Sequence, residues 1–438
     1  MRDELRTTFA ALGIRNYRLF ATGSLISNVG TWMQRIAQDW LILVLTGSAG
    51  ALGLTTGLQF LPLVLLSPLT GVIADRFSKR RVLALSQLTM GLTAALLGVL
   101  AVTGVVAAWH VYVLAFVFGS AAAFDMPTRQ AFVNEMVPRD QLPNAVGLNS
   151  ASFNLARMIG PAVAGLLIAW MGSGVAATGW VILVNAATYA AVIVSLSRMR
   201  AEELVPTVPL PHASGQLRDG LRYVRSRPDI MLVMAVVFCC GTFGLNFQMT
   251  TALMATAVFD KGAGEYGVLG SILAVGSLAG SLLAARRVAA RQRLVVLAAV
   301  AFGTLVVVAG LMPSYLLFAA ILPLCGFAAL TVITAANAFV QLAADPQVRG
   351  RVMALYLAIF MGGTPIGAPL LGAVAEAFGA RWTLVGGGLL TVLGTVIATA
   401  VFARHQGVVV TPHLRPHPHL EVVARQAENA IGETVAAA

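Results

Sequence analysis

Long apolar stretches alternate with short polar ones along the whole chain. Residues 51–70 and 82–106 are almost wholly apolar, whereas five of the eleven side chains in GVIADRFSKRR, residues 71–81, are charged. A helix needs about 20 mostly apolar residues to cross the roughly 30 Å hydrocarbon core of a bilayer. The pattern therefore predicts an all-α membrane protein with twelve transmembrane helices, called spans 1 to 12 below. They lie near residues 17–45, 51–74, 81–104, 109–136, 143–171, 176–197, 229–259, 265–286, 292–312, 314–343, 350–378 and 381–403.

Composition supports a bilayer as the solvent of this chain. Hydrophobic residues make up 58% of the 438 residues and the mean hydropathy is +0.83, well above the values of a soluble globular domain. The net charge of +11 does not indicate nucleic-acid binding, because the basic residues lie in short loops between apolar spans. The first 20 residues contain no short apolar core followed by a small-residue cleavage site, so we expect no cleaved signal peptide and expect span 1 to act as the membrane signal. All three cysteines fall within apolar spans and offer no disulfide or metal framework: Cys239, Cys240 and Cys325.

The distribution of basic residues predicts the orientation in the membrane. With an even number of spans, both termini lie on one side, and cytoplasmic loops carry the excess of Lys and Arg. Of the 29 basic residues, 24 lie on one face, Lys261 and Arg381 lie on the other, and Arg35, Arg129 and Arg157 lie within spans. We therefore expect a multi-pass protein of the cell membrane with both termini cytoplasmic.

An internal repeat divides the chain into two halves. Residues 129–172 align without a gap with residues 336–379, and ten of the 44 positions are identical, against about one in ten expected by chance. A polar, proline-containing segment separates the halves and includes a predicted amphipathic surface helix at 215–225. The expected domains are a six-helix bundle at 1–197, a cytoplasmic linker at 198–228, a second six-helix bundle at 229–404 and a cytoplasmic tail at 405–438.

The charged loop between spans 2 and 3 combines glycine with a set of charges. Gly71 permits close helix contact, and Asp75 is an anion available to the N-terminus of an opposing helix. Arg76, Lys79 and Arg80 either anchor the loop against acidic groups and anionic lipid or only orient the protein in the membrane.

These five residues resemble the loop motif of the major facilitator superfamily, with Ser78 where that family has glycine. The resemblance covers nearly all of residues 10–404. It implies two six-helix bundles related by an axis along the membrane normal. It also implies that the loop gates the cytoplasmic side and that span 11 is the partner of Asp75.

Two further features resemble exporters of this superfamily. Gly160, Pro161 and Gly165 in span 5 are similar to a Gly-Pro motif of those exporters. Small residues allow span 5 to approach span 8 and proline bends it, although ordinary close packing of membrane helices explains the same residues. The strings at residues 26–41 and 124–138 are similar to the branch of siderophore and multidrug exporters driven by proton entry.

Ionisable and polar groups inside spans are candidate functional residues. Each ionisable group costs about 2.5–3.5 kcal/mol on insertion scales. Arg35 and Asp39 in span 1 are four residues apart, as are Asp125 and Arg129 in span 4, so each pair shares a helix face. The resemblance implies that spans 1, 4, 7 and 10 line the central cavity. The predicted proton-coupling or cavity residues are Arg35, Gln38, Asp39, Asp125, Arg129, Asn246, Gln248, Asn337 and Gln341.

Two roles are open for the carboxylates. Burial favours the neutral carboxyl and a neighbouring arginine favours the ionised form, so exposure to the two sides in turn would load and release a proton on Asp39 or Asp125. Alternatively, both pairs are permanent salt bridges that brace the bundle. Arg157 in span 5 faces either the cavity or an acid on another helix.

The sequence predicts a secondary active transporter and not an enzyme, since it contains no phosphate-binding loop, zinc-ligand helix or nucleophile elbow. The expected activity is proton-coupled efflux of a small lipophilic compound, drug or siderophore. Uptake of a small metabolite and a non-transporting receptor are the alternatives. The expected partners are a small-molecule substrate, protons and membrane lipids, and the protein is expected to be a monomer without cofactor or metal. The histidines of the tail, at 405, 413, 417 and 419, are assigned to a disordered segment and not to a metal site.

Overall fold

The computed structural model describes residues 9–205, 216–285, 291–405, 408–413 and 419–424, and helices make up most of these ranges. In chain order the α-helices are α1 Arg15–Thr46, α2 Ala49–Leu65, α3 Ser67–Arg76, α4 Lys79–Val102, α5 Ala108–Met136, α6 Leu142–Trp170, α7 Val175–Ser197, α8 Gln216–Ser226, α9 Pro228–Cys239, α10 Phe247–Leu253, α11 Ala263–Ala285, α12 Gln292–Leu311, α13 Tyr315–Ala343, α14 Arg349–Phe378 and α15 Arg381–His405. Short 3-10 turns lie at Ala10–Gly13 and Ala201–Glu203, and π-helical segments lie at Cys240–Gly244 and Met254–Val258.

Within the described ranges, ten helical segments are long and apolar enough to cross a membrane. Predicted spans 1 and 2 are not among them. The first, α1, has 32 residues but carries Gln34, Arg35, Gln38 and Asp39 near its middle. The second, α2, has 17 residues and continues after a bend at Leu66 as α3. The protein is therefore a helical, multi-pass membrane protein.

Predicted span 7 is an interrupted helix and not a continuous one. It consists of α9, the π-helical segment Cys240–Gly244, α10 and the π-helical segment Met254–Val258. The side-chain amide of Asn246 donates to the carbonyl oxygen of Thr242 at 2.8 Å, at the point where α10 begins. Such π-segments are frequent at functional sites because they redirect side chains locally.

Helices pack against one another within each half of the chain. In the first, α4 packs against α5 and α7, and α1 packs against α7. In the second, α12 packs against α13 and α15, and α11 packs against α13. Contacts between the halves run mainly through α2 with α14, α6 with α11 and α1 with α10 and α11. Below, α1–α7 are called the N-set and α9–α15 the C-set.

The linker between the sets contains a short helix close to the predicted position. This helix, α8, packs against α14, where Gly220 lies against the side chain of Arg351. The hydroxyl oxygen of Tyr223 accepts a hydrogen bond from the backbone N–H of Asp345 at 3.1 Å and another from Arg227 at 3.0 Å. The linker helix is therefore held against the C-set.

The tail departs from an all-α fold. Strands β1 Val408–His413 and β2 His419–Ala424 pair antiparallel, with Val410 opposite Val422. Each strand contains consecutive valines, and β-branched residues favour extended backbone over helix. The side chains of His405, His413, His417 and His419 lie outside the described residues, and so does Gly215 at the predicted start of the linker helix.

Candidate functional site

Asp39 connects the two sets of helices. It is 1% exposed, and its Oδ2 accepts hydrogen bonds from the Gln248 side-chain amide at 2.7 Å and the Tyr266 hydroxyl at 2.8 Å. Gln248 lies on α10 and Tyr266 on α11, so both donors come from the C-set. The predicted contact partner, Arg35, is not in an ion pair with Asp39 among the described residues. A carboxylate of the N-set is thus held by donors of the C-set.

Arg35 instead lies over aromatic rings. Its guanidinium carbon is 4.6 Å from the centroid of the Trp32 ring and 5.4 Å from that of Phe60. The guanidinium of Arg157 on α6 approaches the same Trp32 ring at 5.7 Å. Electrostatic attraction to the face of an aromatic ring can stabilise a guanidinium that has no ion pair with a carboxylate.

A cavity of about 340 Å³ lies between the two sets of helices. Small-molecule sites are commonly cavities of about 300 Å³ or more with apolar walls and a few polar groups. Both arginines line it, together with aromatic and polar side chains from both sets. Its lining includes Trp32, Arg35, Thr56, Phe60, Arg157, Asn246, Phe247, Gln248, Thr251, Tyr266, Ser277, Phe360 and Thr364.

Asp125 and Arg129 form a buried ion pair within the N-set. Their closest charged atoms are 3.0 Å apart, and both side chains are about one tenth exposed. Gln87 on α4 donates to Oδ1 of Asp125 at 2.7 Å, and Arg129 donates to the Ser24 hydroxyl on α1 at 2.7 Å. Ser27 on α1 contacts Gln87 in turn at 3.2 Å. These bonds join α1, α4 and α5, and none of them involves a residue of the C-set.

The remaining predicted cavity residues divide between the site and its surroundings. Asn246 and Gln248 line the cavity, and Oδ1 of Asn246 is buried without a hydrogen-bond partner. Gln38 is buried and donates to the side chain of Gln59 on α2 at 3.2 Å. Gln341 donates to Asn337 at 3.0 Å on α13, and neither residue is in the described lining of the cavity.

The beginning of α4 is held by other helices of the N-set. The ammonium of Lys79 donates to Oε1 of Glu135 on α5 at 2.7 Å, and both side chains are about one tenth exposed or less. Arg80 donates to the carbonyl oxygen of Ser197 at 3.2 Å, and Arg76 is exposed. Gly71 and Asp75 lie in α3, but the predicted contact of the Asp75 side chain with span 11 falls outside the described side chains.

The glycines of span 5 face two different helices. A Cβ placed on Gly165 would lie 2.4 Å from the carbonyl oxygen of Ala263 and 2.9 Å from Cα of Gly267, both on α11. A Cβ placed on Gly160 would lie 2.6 Å from Cβ of Trp32 on α1. Pro161 lies inside α6 and lines the cavity. Gly165 thus allows the backbones of α6 and α11 to contact one another. Gly160 allows the Trp32 side chain to pack against α6.

The two sets contact one another at one end of the bundle, called the Gly47 end after the first residue between α1 and α2. There the hydroxyl of Ser48 and the backbone N–H of Gly50 both donate to Oε1 of Glu376 on α14, the latter at 3.0 Å. A Cβ on Gly53 would lie 2.4 Å from the Ala368 carbonyl oxygen, whereas a Cβ on Gly362, farther along, would have its nearest neighbour at 3.8 Å. The α2–α14 contact therefore loosens away from the Gly47 end.

Several residues of these networks were not predicted from the sequence, among them Ser24 and Gln59, which bind Arg129 and Gln38. Tyr266, Gln87 and Glu135 each bind a predicted residue. Glu135 is an acid inside predicted span 4, and the cost of placing an acid there is a signal that identifies it. The contact of Tyr266 depends on the packing of α11 against α1, which no local pattern indicates.

A membrane transporter is the class of protein that these features define, because a polar and aromatic cavity lies between two sets of membrane helices. Residues 6–431 match the model of the family described as transmembrane secretion effector, a group of the major facilitator superfamily. The chain belongs to this family, whose members are transporters and not enzymes.

Two of the relatives, named as efflux proteins, match most of the chain, and another, named as a transporter, matches a shorter part. The multidrug efflux pump Tap of Mycolicibacterium fortuitum is 29% identical over 87% of this chain and 93% of its own length. Macrolide efflux protein A of Streptococcus pyogenes is 23% identical over 87% and 95%. The staphyloferrin A transporter of Staphylococcus aureus is 30% identical over 35% of this chain and 38% of its own length.

Solved structures share the fold. A bacterial homologue of the human lysosomal transporter Spinster, in an inward-facing and unoccupied conformation, has a TM-score of 0.66 at 16% identity, over 89% of this chain and 96% of the other. A D-xylose–proton symporter has a TM-score of 0.69 at 13% identity, over 88% and 96%.

Proposed function

We propose that this protein is a proton-coupled exporter of small lipophilic compounds, such as drugs or siderophores, that works by alternating access. Two six-helix halves, 1–197 and 229–404, move about the cavity, and both chain ends face the cytoplasm. The efflux relatives support the direction of transport. The excess of basic residues on one face supports the orientation.

The observation that carries this proposal is the position of Asp39 between the halves. Both donors to Asp39 belong to the C-set, so a separation of the sets at the Gly47 end removes them. Gln87 and Arg129, which bind Asp125 in the structure, belong to the N-set and would move with it as one body. We therefore assign proton carriage to Asp39, and we assign the Asp125–Arg129 pair to bracing of the N-set.

The hydrogen bonds of Asp39 suggest the order of events. In the structure, Gln248 and Tyr266 donate to the Asp39 carboxylate, and the two sets are in contact at the Gly47 end, which defines the closed state of this end. With this end facing outward, its opening separates Asp39 from Gln248 and Tyr266 and exposes the carboxyl to the outside, where it takes up a proton. Closure removes access from the outside and restores both donors, and the proton leaves toward the cytoplasm while the substrate enters the cavity from that side.

Transport in inside-out membrane vesicles with an acidic interior tests the proposal. Wild-type vesicles should accumulate a fluorescent lipophilic dye or a siderophore, and dissipation of the pH gradient should abolish accumulation. Asp39→Asn should reduce gradient-driven accumulation to the level of vesicles without the protein, whereas Asp125→Asn should retain coupling. Full coupling in Asp39→Asn, or loss of coupling in Asp125→Asn alone, contradicts the assignment. Substrate movement in the same direction as protons contradicts export and favours uptake.

A further inference from the structure

The wall of the cavity brings two positive charges together on one ring. Arg35 from α1 and Arg157 from α6 approach the Trp32 ring with guanidinium carbons at 4.6 and 5.7 Å from its centroid. Gly160, one turn from Arg157, lets the Trp32 side chain approach α6 closely. The shared ring therefore holds two like charges in the same part of the cavity.

No acidic side chain lines the cavity among the residues that the structure describes. Asp39 is one turn from Arg35, but its Oδ2 is bonded to Gln248 and Tyr266. Nε of Arg35 is buried without a hydrogen-bond partner. Even with Asp39 ionised, one positive charge of the arginine pair lacks a counter-charge in this site.

An aromatic ring compensates only part of the cost of removing a guanidinium from water. Two neighbouring guanidiniums also repel one another, and the repulsion is stronger where the wall is apolar. A planar carboxylate relieves both costs, because it accepts paired hydrogen bonds from the guanidinium fork and supplies the missing negative charge. A lipophilic cation would increase the repulsion.

We propose that the cavity binds an anionic amphiphile, whose carboxylate contacts Arg35 and Arg157 and whose apolar body packs on Phe60, Phe247 and Phe360. This inference rests on the proposed function and specifies the charge of the substrate. The three phenylalanines line the same cavity as the arginines. The site therefore offers one cationic end and an aromatic surface for the rest of the molecule.

Direct binding separates this inference from the transport proposal. The purified protein in phosphatidylcholine nanodiscs is titrated with pyrenebutyrate, pyrenebutyramide and pyrenebutylamine, which share one aromatic body and differ in charge. The wild-type protein should bind the carboxylate at least about tenfold more tightly than the amide and should bind the amine most weakly. The inference is overturned if the three affinities are equal, if the amine binds more tightly, or if the carboxylate does not bind. This test uses only the wild-type protein.

Charge-removing variants locate the site. Arg35→Gln and Arg157→Gln should each weaken carboxylate binding about tenfold and change amide binding little. Arg293→Gln, at an exposed position on α12, is the matched control and should leave the ranking unchanged. Selectivity that survives both cavity substitutions in folded protein contradicts the assignment of these arginines.

An anionic lipid headgroup is a second source of the same chemistry. The titration is repeated with part of the phosphatidylcholine replaced by phosphatidylglycerol. Retained carboxylate binding supports a transported anion, whereas competition by the lipid assigns the site to a headgroup and overturns the inference. If gradient-driven transport is absent but the three pyrene probes bind in the expected order of affinity, the proposed function is contradicted and the anion site is not.

Discussion

Two pairs of residues with the same spacing have different partners in the structure. Asp125 and Arg129, four residues apart on α5, form an ion pair. Arg35 and Asp39 have the same spacing on α1, but Asp39 is bonded to Gln248 and Tyr266. Spacing within one helix predicts which residues share a face. It does not predict which neighbouring helix supplies a competing donor, because that depends on packing over a long sequence separation.

The hydroxyl of Tyr266 is expected to set the pH at which the proton is released. Tyr266→Phe removes one of the two donors to Asp39 and makes the ionised carboxylate less stable in the closed state. The cytoplasmic-side pH needed for half-maximal efflux should therefore rise, by about one pH unit for a charge-assisted hydrogen bond. Efflux measured as a function of cytoplasmic-side pH in vesicles checks this expectation.

Tyr356→Phe is the matched control for this substitution. Tyr356 is 1% exposed, and its hydroxyl donates to the carbonyl oxygen of Ile333 on α13 and not to Asp39. Its removal should leave the pH profile in place. An identical profile for wild type and Tyr266→Phe would show that the hydroxyl has no part in coupling.

At the scale of whole elements, continuous helices were easier to predict than interrupted ones. Predicted span 3, at 81–104, corresponds to α4 Lys79–Val102, and predicted span 10, at 314–343, corresponds to α13 Tyr315–Ala343. Apolar length alone indicates such helices. Span 7 has the same apolar length but contains two π-helical segments. Those segments depend on neighbouring helices and leave no periodic signal in the sequence.

The α6–α11 contact is expected to be necessary for closure of the Gly47 end. In Gly165→Val the new Cβ meets the Ala263 carbonyl oxygen at 2.4 Å, so the two backbones must separate. Overpacking of this kind costs about 1–3 kcal/mol, and gradient-driven efflux should fall about tenfold because the closed state is disfavoured. Vesicle transport measures the fall, and size-exclusion chromatography confirms that the protein is folded.

Gly147→Val on the same helix is the control, because a Cβ there has nothing within 4 Å. Its efflux should match the wild type. Equal losses in the two variants would indicate a general effect of valine on α6 and not a role of the α6–α11 contact.

At the scale of the whole molecule, the internal repeat and the distribution of basic residues predict two halves with both ends on one side. They do not predict which end of the cavity is closed in a given state. That property depends on contacts between helices far apart in sequence, such as Ser48 with Glu376. The looser contact of Gly362 on α14 with Val64 on α2 is likewise visible only in the packed structure.

Glu376 is expected to stabilise the closed state of the Gly47 end. Its carboxylate accepts hydrogen bonds from Ser48 and from the backbone of Gly50, so Glu376→Ala removes two connections between the sets. The population of molecules open at this end should rise by no more than about tenfold. This is the low end of the range for charge-assisted hydrogen bonds, and it applies because both bonds lie at an exposed position. Glu203→Ala, which removes an exposed ion pair with Arg200, is the control.

Distances between two spin labels, measured by double electron–electron resonance, detect the change directly. Spin labels are placed at Val105 and Leu316, both of which are well exposed, on the N-set and the C-set, after replacement of the three native cysteines by alanine. By the alternating direction of successive membrane crossings, both positions lie at the Gly47 end. Glu376→Ala should therefore increase the population with a long label-to-label distance, whereas Glu203→Ala should not. An unchanged distance distribution in Glu376→Ala would mean that the backbone contacts of α2 with α14 and of α6 with α11 hold this end closed without the carboxylate.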